Sequence, residues 1–272
     1  MPELPEVETI VQDLAPDLTG RQIIGVQVWD SLLVRHPGGE DFNRRLTGRI
    51  IQSLGRRGKY IVAQLDGGLT WLVHLRMTGR LLLQLPPAER HQRACFTLDG
   101  GMKLWYCDLR RFGDMWAVWP GEEEHLGGFT HLGPEPLSPD FNAQWLGDVL
   151  TKRKAAIKAL LLDQRIVAGL GNIYVDEALF RAGIYPGLAG GRLTQHQCSC
   201  LVAAVKEVIG QAITGRGTTF RDYRSGRGTA GEYQHQLKVY GRAGQACLAC
   251  GADLVRERIG GRTTIYCPHC QS

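Results

Sequence analysis

Apolar positions change spacing several times along this chain. Val7, Ile10, Val11 and Leu14 recur at i, i+3, i+4 and i+7, one face of a helix, so the spacing predicts a helix over Pro5–Leu14. Glu6 and Glu8 fall in its first turn, where the helix dipole favours carboxylates. From about Arg21 to Trp119 the pattern is mostly that of short strands: Tyr60–Leu65, Leu69–Leu75, Leu81–Leu85, Cys95–Leu98, Lys103–Tyr106 and Met115–Trp119. Asp66-Gly67-Gly68 and Asp99-Gly100-Gly101 read as hairpin turns. So many short strands predict a β-sandwich or barrel.

Gly133-Pro134-Glu135-Pro136-Leu137-Ser138-Pro139 has the composition of a linker, and helical spacing follows it. Ala155–Gln164 is one predicted helix. Gly169-Leu170-Gly171 interrupts, and Asn172–Ala182 is a second, stopped by Gly183. Thr194 and Gln197 form a capping box for a third, with Leu201, Val202, Val205, Val208, Ile209 and Ile213 on one face. Thr214–Gln236 is rich in Gly, Arg and Thr without apolar periodicity, and a loop this long is expected to be functional or mobile. The pattern implies an α+β protein of several domains: 1–133 rich in strands, a sandwich or a barrel with flanking helices, 134–234 a helical domain with a long loop, and 235–272 the segment that follows it.

Composition narrows the class. Apolar residues make up 43% and charged residues 22%, the balance of a soluble globular protein. No apolar run is long enough for a bilayer, and MPELPEVETI lacks the pattern of a signal peptide, so the cytoplasm is the expected location. Charge is uneven. Residues 1–150 carry 15 Lys/Arg against 19 Asp/Glu, a balance of −4; residues 151–272 carry 17 against 8, a balance of +9. A basic half suggests a polyanionic partner, although a solvated basic surface would read the same way.

Cys247-x2-Cys250 and Cys267-x2-Cys270 are two knuckles separated by 16 residues. Each places two sulfurs on one tight turn, the pattern of a four-cysteine zinc site. Four thiolates leave no open position for a catalytic water, so one structural zinc ion is the expected cofactor and the chemistry must lie elsewhere. Cys95, Cys107, Cys198 and Cys200 lack such partners and read as buried small hydrophobes.

Pro2 is one candidate for that chemistry. Removal of Met1 would free a secondary amine able to attack an aldehyde-like carbon and form an iminium ion, a cationic electron sink. Glu3 and Glu6 supply carboxyls beside it. Taken alone, Pro-Glu at a chain start is ordinarily no more than the beginning of a helix.

The motifs MPELPEVET, LGRRGKY, HLRMTGR, DLRRFGD, THLGPEPLS, GLGNIYVDEALFRAGIYP and CLACG…GRTTIYCPHCQ follow one another from Pro2 to Gln271. Together they resemble the formamidopyrimidine-DNA glycosylase family, over essentially the whole chain. The resemblance implies a β-sandwich, a helix–two-turn–helix domain and a zinc finger. It also implies an enzyme that removes an oxidised base from duplex DNA and nicks the backbone at the abasic site. Carried over by residue, Pro2 is the implied nucleophile, Glu3 the general acid and Glu6 a supporting carboxylate. Lys59 is assigned to β-elimination and Arg262 to δ-elimination. His91, Arg110 and Arg153 fall where the family contacts DNA. Arginine does not deprotonate in proteins, so a phosphate clamp suits Arg262 better than proton donation.

A base in a duplex must be extruded for attack at C1′, and the gap it leaves must be filled. Met77, Arg111 and Phe112 match the family's gap-filling trio: an apolar wedge, a planar cation and an aromatic ring. Gly169–Asn172 opens a helix and suits a phosphate, with the Asn172 side chain as a further donor. Arg153, between Lys152 and Lys154, is a basic cluster for the backbone. Arg221, Arg224, Ser225 and Arg227 fall in a loop, Thr218–Tyr240, placed where the family has a loop over the flipped base. The expected partner is damaged double-stranded DNA, bound by a monomer without a membrane. Alternatives are an endonuclease VIII-like enzyme for oxidised pyrimidines, a damage binder without catalysis and a zinc-ribbon transcription factor. The intact set Pro2, Glu3, Lys59 and Arg262 argues against the damage binder, and the N-terminal motifs argue against the transcription factor.

Overall fold

The structure, a computed structural model, describes residues 1–219 and 223–272. It contains two compact units: Met1–Thr130 with Gly215–Glu232, and His131–Thr214 with Tyr233–Ser272.

In the first unit, α1 (Leu4–Leu18) is followed by β1 (Ile23–Val28), β2 (Val34–His36), α2 (Gly39–Leu46), β3 (Ile51–Arg57), β4 (Tyr60–Leu65), β5 (Thr70–His74), β6 (Gly79–Leu82), β7 (Gln92–Leu98), β8 (Lys103–Asp108) and β9 (Asp114–Val118). The strands form a four-stranded sheet, β1-β7-β8-β6, and a five-stranded sheet, β2-β9-β5-β4-β3. All pairs are antiparallel except β2 with β9. Alternate residues face the core between the sheets, where Trp71 of β5 meets Phe96 of β7 at 4.4 Å between ring centroids. Val7, Ile10, Val11 and Leu14 of α1 bury the predicted stripe in the same core. The two Asp-Gly-Gly turns supply left-handed glycines, at φ 72° and 85° in one and 70° and 80° in the other.

The first helix continues four residues beyond its predicted end, through Pro16 to Leu18, which is buried. Strands β1, β2 and β3 and helix α2 lie in the stretch read only in outline. The described residues of Gly215–Glu232 group with the first unit through partners on α1. Arg216 bonds Asp13 at 2.6 Å, Arg227 reaches Asp17 at 3.2 Å, and Tyr223 joins the α1 core. Arg221 lies outside the described residues. Arg224 donates to the Tyr223 carbonyl, and Ser225 bonds Thr229.

The second unit carries α3 (Ala143–Leu150), α4 (Ile157–Leu161), α5 (Asn172–Arg181) and α6 (Gln195–Thr214), then the hairpin β10 (Val255–Ile259) and β11 (Arg262–Tyr266). Its helical and zinc-binding parts share one compact body, where the sequence was divided at 234/235. Asn142 caps α3 by accepting from the Trp145 amide at 2.9 Å. The predicted helix Ala155–Gln164 is shorter because Ala156 is extended and bridges Ala189. The Thr194–Gln197 box caps α6 reciprocally, at 3.0 and 3.2 Å. Cys95, Cys107 and Cys198 are buried, while Cys200 is only half-buried and touches His196.

Candidate active site, DNA interface and metal centre

Pro2 is buried immediately before α1. Glu3 caps that helix and is 3% exposed; Glu6, one turn on, is 2% exposed. One Glu6 oxygen accepts from the Glu3 amide at 2.7 Å and the other from the Thr218 amide at 2.7 Å. Both oxygens are thus taken up by backbone N–H groups, which ties the chain start to the segment around Thr218. Gly217 makes that approach possible: it is left-handed at φ 77°, and a Cβ there would sit 2.8 Å from Glu6 Oε1.

Lys59 follows Gly58 at the tip of the β3–β4 hairpin and is 7% exposed. Beside it is a residue the sequence reading missed. His74, paired in register with Tyr60, is buried, and its Nδ1 accepts the Arg76 amide at 3.0 Å. Burial first, then the charges of Arg76 and Lys59, push its pKa down from 6.5 to about 3. The ring is therefore neutral with its proton on Nε2. A histidine in a strand of apolar neighbours gives no sequence signal of its own.

Met77, Arg111 and Phe112 lie on two loops of the first unit that are linked by the Arg110 amide, which donates to Thr78 Oγ1 at 3.1 Å. Met77 is 38% exposed and Phe112 49% exposed, so neither is a core residue. Left-handed residues present both loops: Arg76 at φ 52° and Arg111 at φ 59°. The Arg111 guanidinium is held by Asp30 through two bonds of 2.6 and 2.8 Å. Arg110 lies over the Phe112 ring at 4.7 Å. His91 is half-buried, its amide donating to Glu89.

In the second unit, Arg153 is exposed and its Nε donates to the Val149 carbonyl at 3.3 Å. Asn172 opens α5, and its Nδ2 donates to the Thr263 carbonyl at 3.0 Å. Arg262 is exposed, directly after the two left-handed glycines, Gly260 and Gly261, that turn β10 into β11. Behind this hairpin is a second buried group missed from sequence. The Lys158 ammonium, with no exposed surface, bonds Asp176 at 2.7 Å and the Thr263 carbonyl at 2.9 Å. Asp176 also accepts the Ile265 amide at 3.2 Å, so the strand next to Arg262 is tied to α4 and α5.

The sulfurs of Cys247, Cys250, Cys267 and Cys270 all lie within 4.8 Å of one another, with Cys247–Cys270 at 3.9 Å and Cys250–Cys267 at 3.4 Å. Thiolates 2.3 Å from a tetrahedral ion would stand about 3.8 Å apart, so the donor set fits one structural zinc ion. Amides of Ala249 and Cys270 each donate to a ligand sulfur at 3.4 Å, orienting the set.

A two-sheet unit that begins with a buried proline–glutamate pair, and a helical unit that holds four clustered cysteines, define a modular zinc-finger protein. The formamidopyrimidine-DNA glycosylase N-terminal domain matches residues 1–115 and the corresponding helix–two-turn–helix domain residues 132–223. A zinc finger found in these glycosylases and in isoleucyl-tRNA synthetase matches residues 244–272. The chain is 47% identical to the formamidopyrimidine-DNA glycosylase of Desulforamulus reducens, covering 100% of this chain and 99% of that one. It also resembles the crystal structure of the MutM (Fpg) protein of Thermus thermophilus, at 39% identity and TM-score 0.91, covering 99% of this chain and 98% of that one. A Lactococcus lactis Fpg in complex with abasic-site DNA is similar at 35% identity and TM-score 0.91, covering 99% of each chain. The chain belongs to the formamidopyrimidine-DNA glycosylase family.

Proposed function

We propose that this protein is a bifunctional DNA repair enzyme that excises oxidised purines from duplex DNA and nicks the backbone at the abasic site. The observation that carries the reading is the buried Pro2-Glu3 start at the head of α1, in a chain of this family. A relative from Lactococcus lactis has been seen with Fapy-dG DNA, which supports the lesion class.

In this reading the Pro2 nitrogen attacks the sugar C1′ as the base departs, giving an iminium ion and an opened sugar, with Glu3 supplying the proton for ring opening. Glu6 keeps the chain start in place. Lys59 stabilises charge on the oxygen leaving in β-elimination. Arg262 clamps the phosphate that leaves in δ-elimination, as a bidentate cation. Met77, Arg111 and Phe112 fill the gap left by the extruded nucleotide, and His91, Arg110, Arg153 and Asn172 hold the backbone. The work divides between 1–133 for catalysis, 134–234 for the DNA backbone and 235–272, whose zinc fixes the Arg262 hairpin and takes no part in the chemistry. The protein acts as a monomer in the cytoplasm, where thiols stay reduced and can hold zinc.

Borohydride trapping tests this. Duplexes with 8-oxoguanine should give a covalent complex at the N-terminus faster than duplexes with an oxidised pyrimidine. The reverse order would favour an endonuclease VIII-like enzyme, and no trapping on any lesion would sink the enzyme reading. A Pro2→Gly variant that traps as well as the parent would show that no secondary amine is needed.

A further inference from the structure

The two loops that present Met77, Arg111 and Phe112 are separated by some thirty residues of sequence, yet two buried carboxylates join them. Asp108 ends β8 and is 1% exposed; Asp114 begins β9 and is 2% exposed. They bracket the loop that carries Arg110, Arg111 and Phe112. Both also reach across to the Met77 turn, at the residues on either side of Met77. Thr78 Oγ1 donates to Asp108 Oδ1 at 2.5 Å, and Arg76 Nε donates to Asp114 Oδ2 at 2.6 Å.

Asp108 also organises its own loop. Its Oδ1 accepts the Arg110 amide at 3.1 Å, and its Oδ2 accepts the Gly113 amide at 2.9 Å and the Tyr106 hydroxyl at 3.5 Å. The Arg110 amide is shared with Thr78 Oγ1, also at 3.1 Å, so one donor touches both loops. Burial and the charges of Asp108 and Asp114 hold the Tyr106 phenol neutral, which leaves its hydroxyl able to donate. That hydroxyl sits where two glycines leave room for it. A Cβ at Gly79 would stand 2.4 Å from the oxygen and one at Gly113 only 1.6 Å away. Gly79 closes the Met77 turn through its amide to the Leu75 carbonyl at 3.0 Å. The two glycines, the phenol and the carboxylate therefore form one packed joint beneath both loops.

We infer that Asp108 is a positioning residue that locks the Met77 turn and the Arg110–Phe112 loop into one preassembled wedge, so that the three gap-filling side chains enter the duplex as a unit. Asp114 and Thr78 complete the lock. The geometry fits that role: backbone amides, a hydroxyl and a phenol all converge on the two oxygens of this one buried side chain. A wedge ordered before DNA arrives avoids the entropy cost of ordering it during extrusion.

The inference rests on the gap-filling reading of Met77, Arg111 and Phe112, and the experiment separates the two. Single-turnover excision from a lesion duplex, which needs a filled gap, is compared with borohydride trapping on a single-stranded abasic oligonucleotide, which has no gap. Asp108→Asn and Thr78→Val should slow duplex excision on the order of 10- to 100-fold, the range for a misplaced positioning element. Single-strand trapping should stay within about twofold, since Pro2 and Lys59 are untouched. Equal loss on both substrates would mean a general structural role and overturn the inference. Met77→Ala and Phe112→Ala run alongside. If they slow duplex excision and the Asp108 and Thr78 variants do not, the lock is refuted. If they have no effect, the gap-filling reading itself fails. Should Asp108→Asn lose its cooperative melting transition, Thr78→Val decides, because it removes one bridge and leaves the Arg110 and Gly113 amides bonded to Asp108.

Discussion

His74 gives a test of the electrostatics around Lys59 that needs no DNA. Its folded pKa is about 3 against an ordinary value of 6.5, so between these values the unfolded chain binds a proton that the folded chain refuses. Because the folded pKa is depressed, the stability is fully present above pH 6.5 and is lost as pH falls toward 3. Linkage at 25 °C gives a loss of about 2 kcal/mol by pH 5, approaching about 4 kcal/mol near pH 3. The perturbation is His74→Asn, whose side-chain oxygen can still accept the Arg76 amide but cannot titrate. The assay is urea unfolding between pH 5 and 8 with zinc in excess. Tryptophan emission is the right probe, since Trp29, Trp71, Trp105, Trp116 and Trp119 all lie in the first unit and only Trp145 in the second. The parent should lose about 2 kcal/mol more than the variant between pH 8 and pH 5. Parallel curves would show that His74 protonates freely in the fold, and the account of a neutral imidazole beside Lys59 would be wrong.

Other expectations concern DNA and zinc. Arg262→Gln should keep excision and trapping but shift the nicked products from δ- to β-elimination, read on a sequencing gel. Arg153→Gln should reduce the slope of log affinity against log salt by about one without changing lesion preference. A slope unaltered by the change would remove Arg153 from the phosphate contacts. Stripping zinc with a chelator should abolish tight DNA binding and nicking together, because the β10–β11 hairpin packs on the ligand cysteines; nicking that survives zinc loss, checked by metal analysis, would contradict this. Asp30→Ala should free the Arg111 guanidinium and narrow the rate difference between lesions paired with different bases, compared in single-turnover assays.

How much of this was legible in the sequence depends on the range of the interactions. The capping box at Thr194, the Asp-Gly-Gly turns and the α1 stripe are local, fixed by residues within a few positions, and they read correctly. The cysteine spacing is also local at each knuckle. The packing of the described residues of 215–232 was not legible, because their partners are Glu6, Asp13 and Asp17, some two hundred positions away, and no periodicity announces contacts made by charge and by a glycine. Ala155 and Ala156 have high helix propensity, but a bridge to Ala189 overrides it. The motif around Arg110 marked three exposed side chains. It gave no sign that the aspartates on either side are the buried groups that hold them.

Those buried aspartates change how the motif DLRRFGD is understood. Leu109, Arg110, Arg111 and Phe112 project outward, and the residues that flank them, Asp108, Gly113 and Asp114, are buried. The exposed part can work as a wedge only if something opposes its tendency to fold back onto apolar surface, since Met77 and Phe112 both lose free energy by standing in water. Backbone alone does not supply that, and Arg76 and Arg111 sit in a left-handed conformation that non-glycine residues avoid at a cost of about 1 kcal/mol or more each. The ion pairs from Arg76 to Asp114 and from Arg111 to Asp30 act at those two strained residues. Charge thus offsets backbone strain where the chain must hold apolar side chains outward. A substitution that relaxes the strain, such as Arg111→Gly, should stabilise the loop backbone and still impair excision from duplex DNA, because it removes the cation and its anchor together.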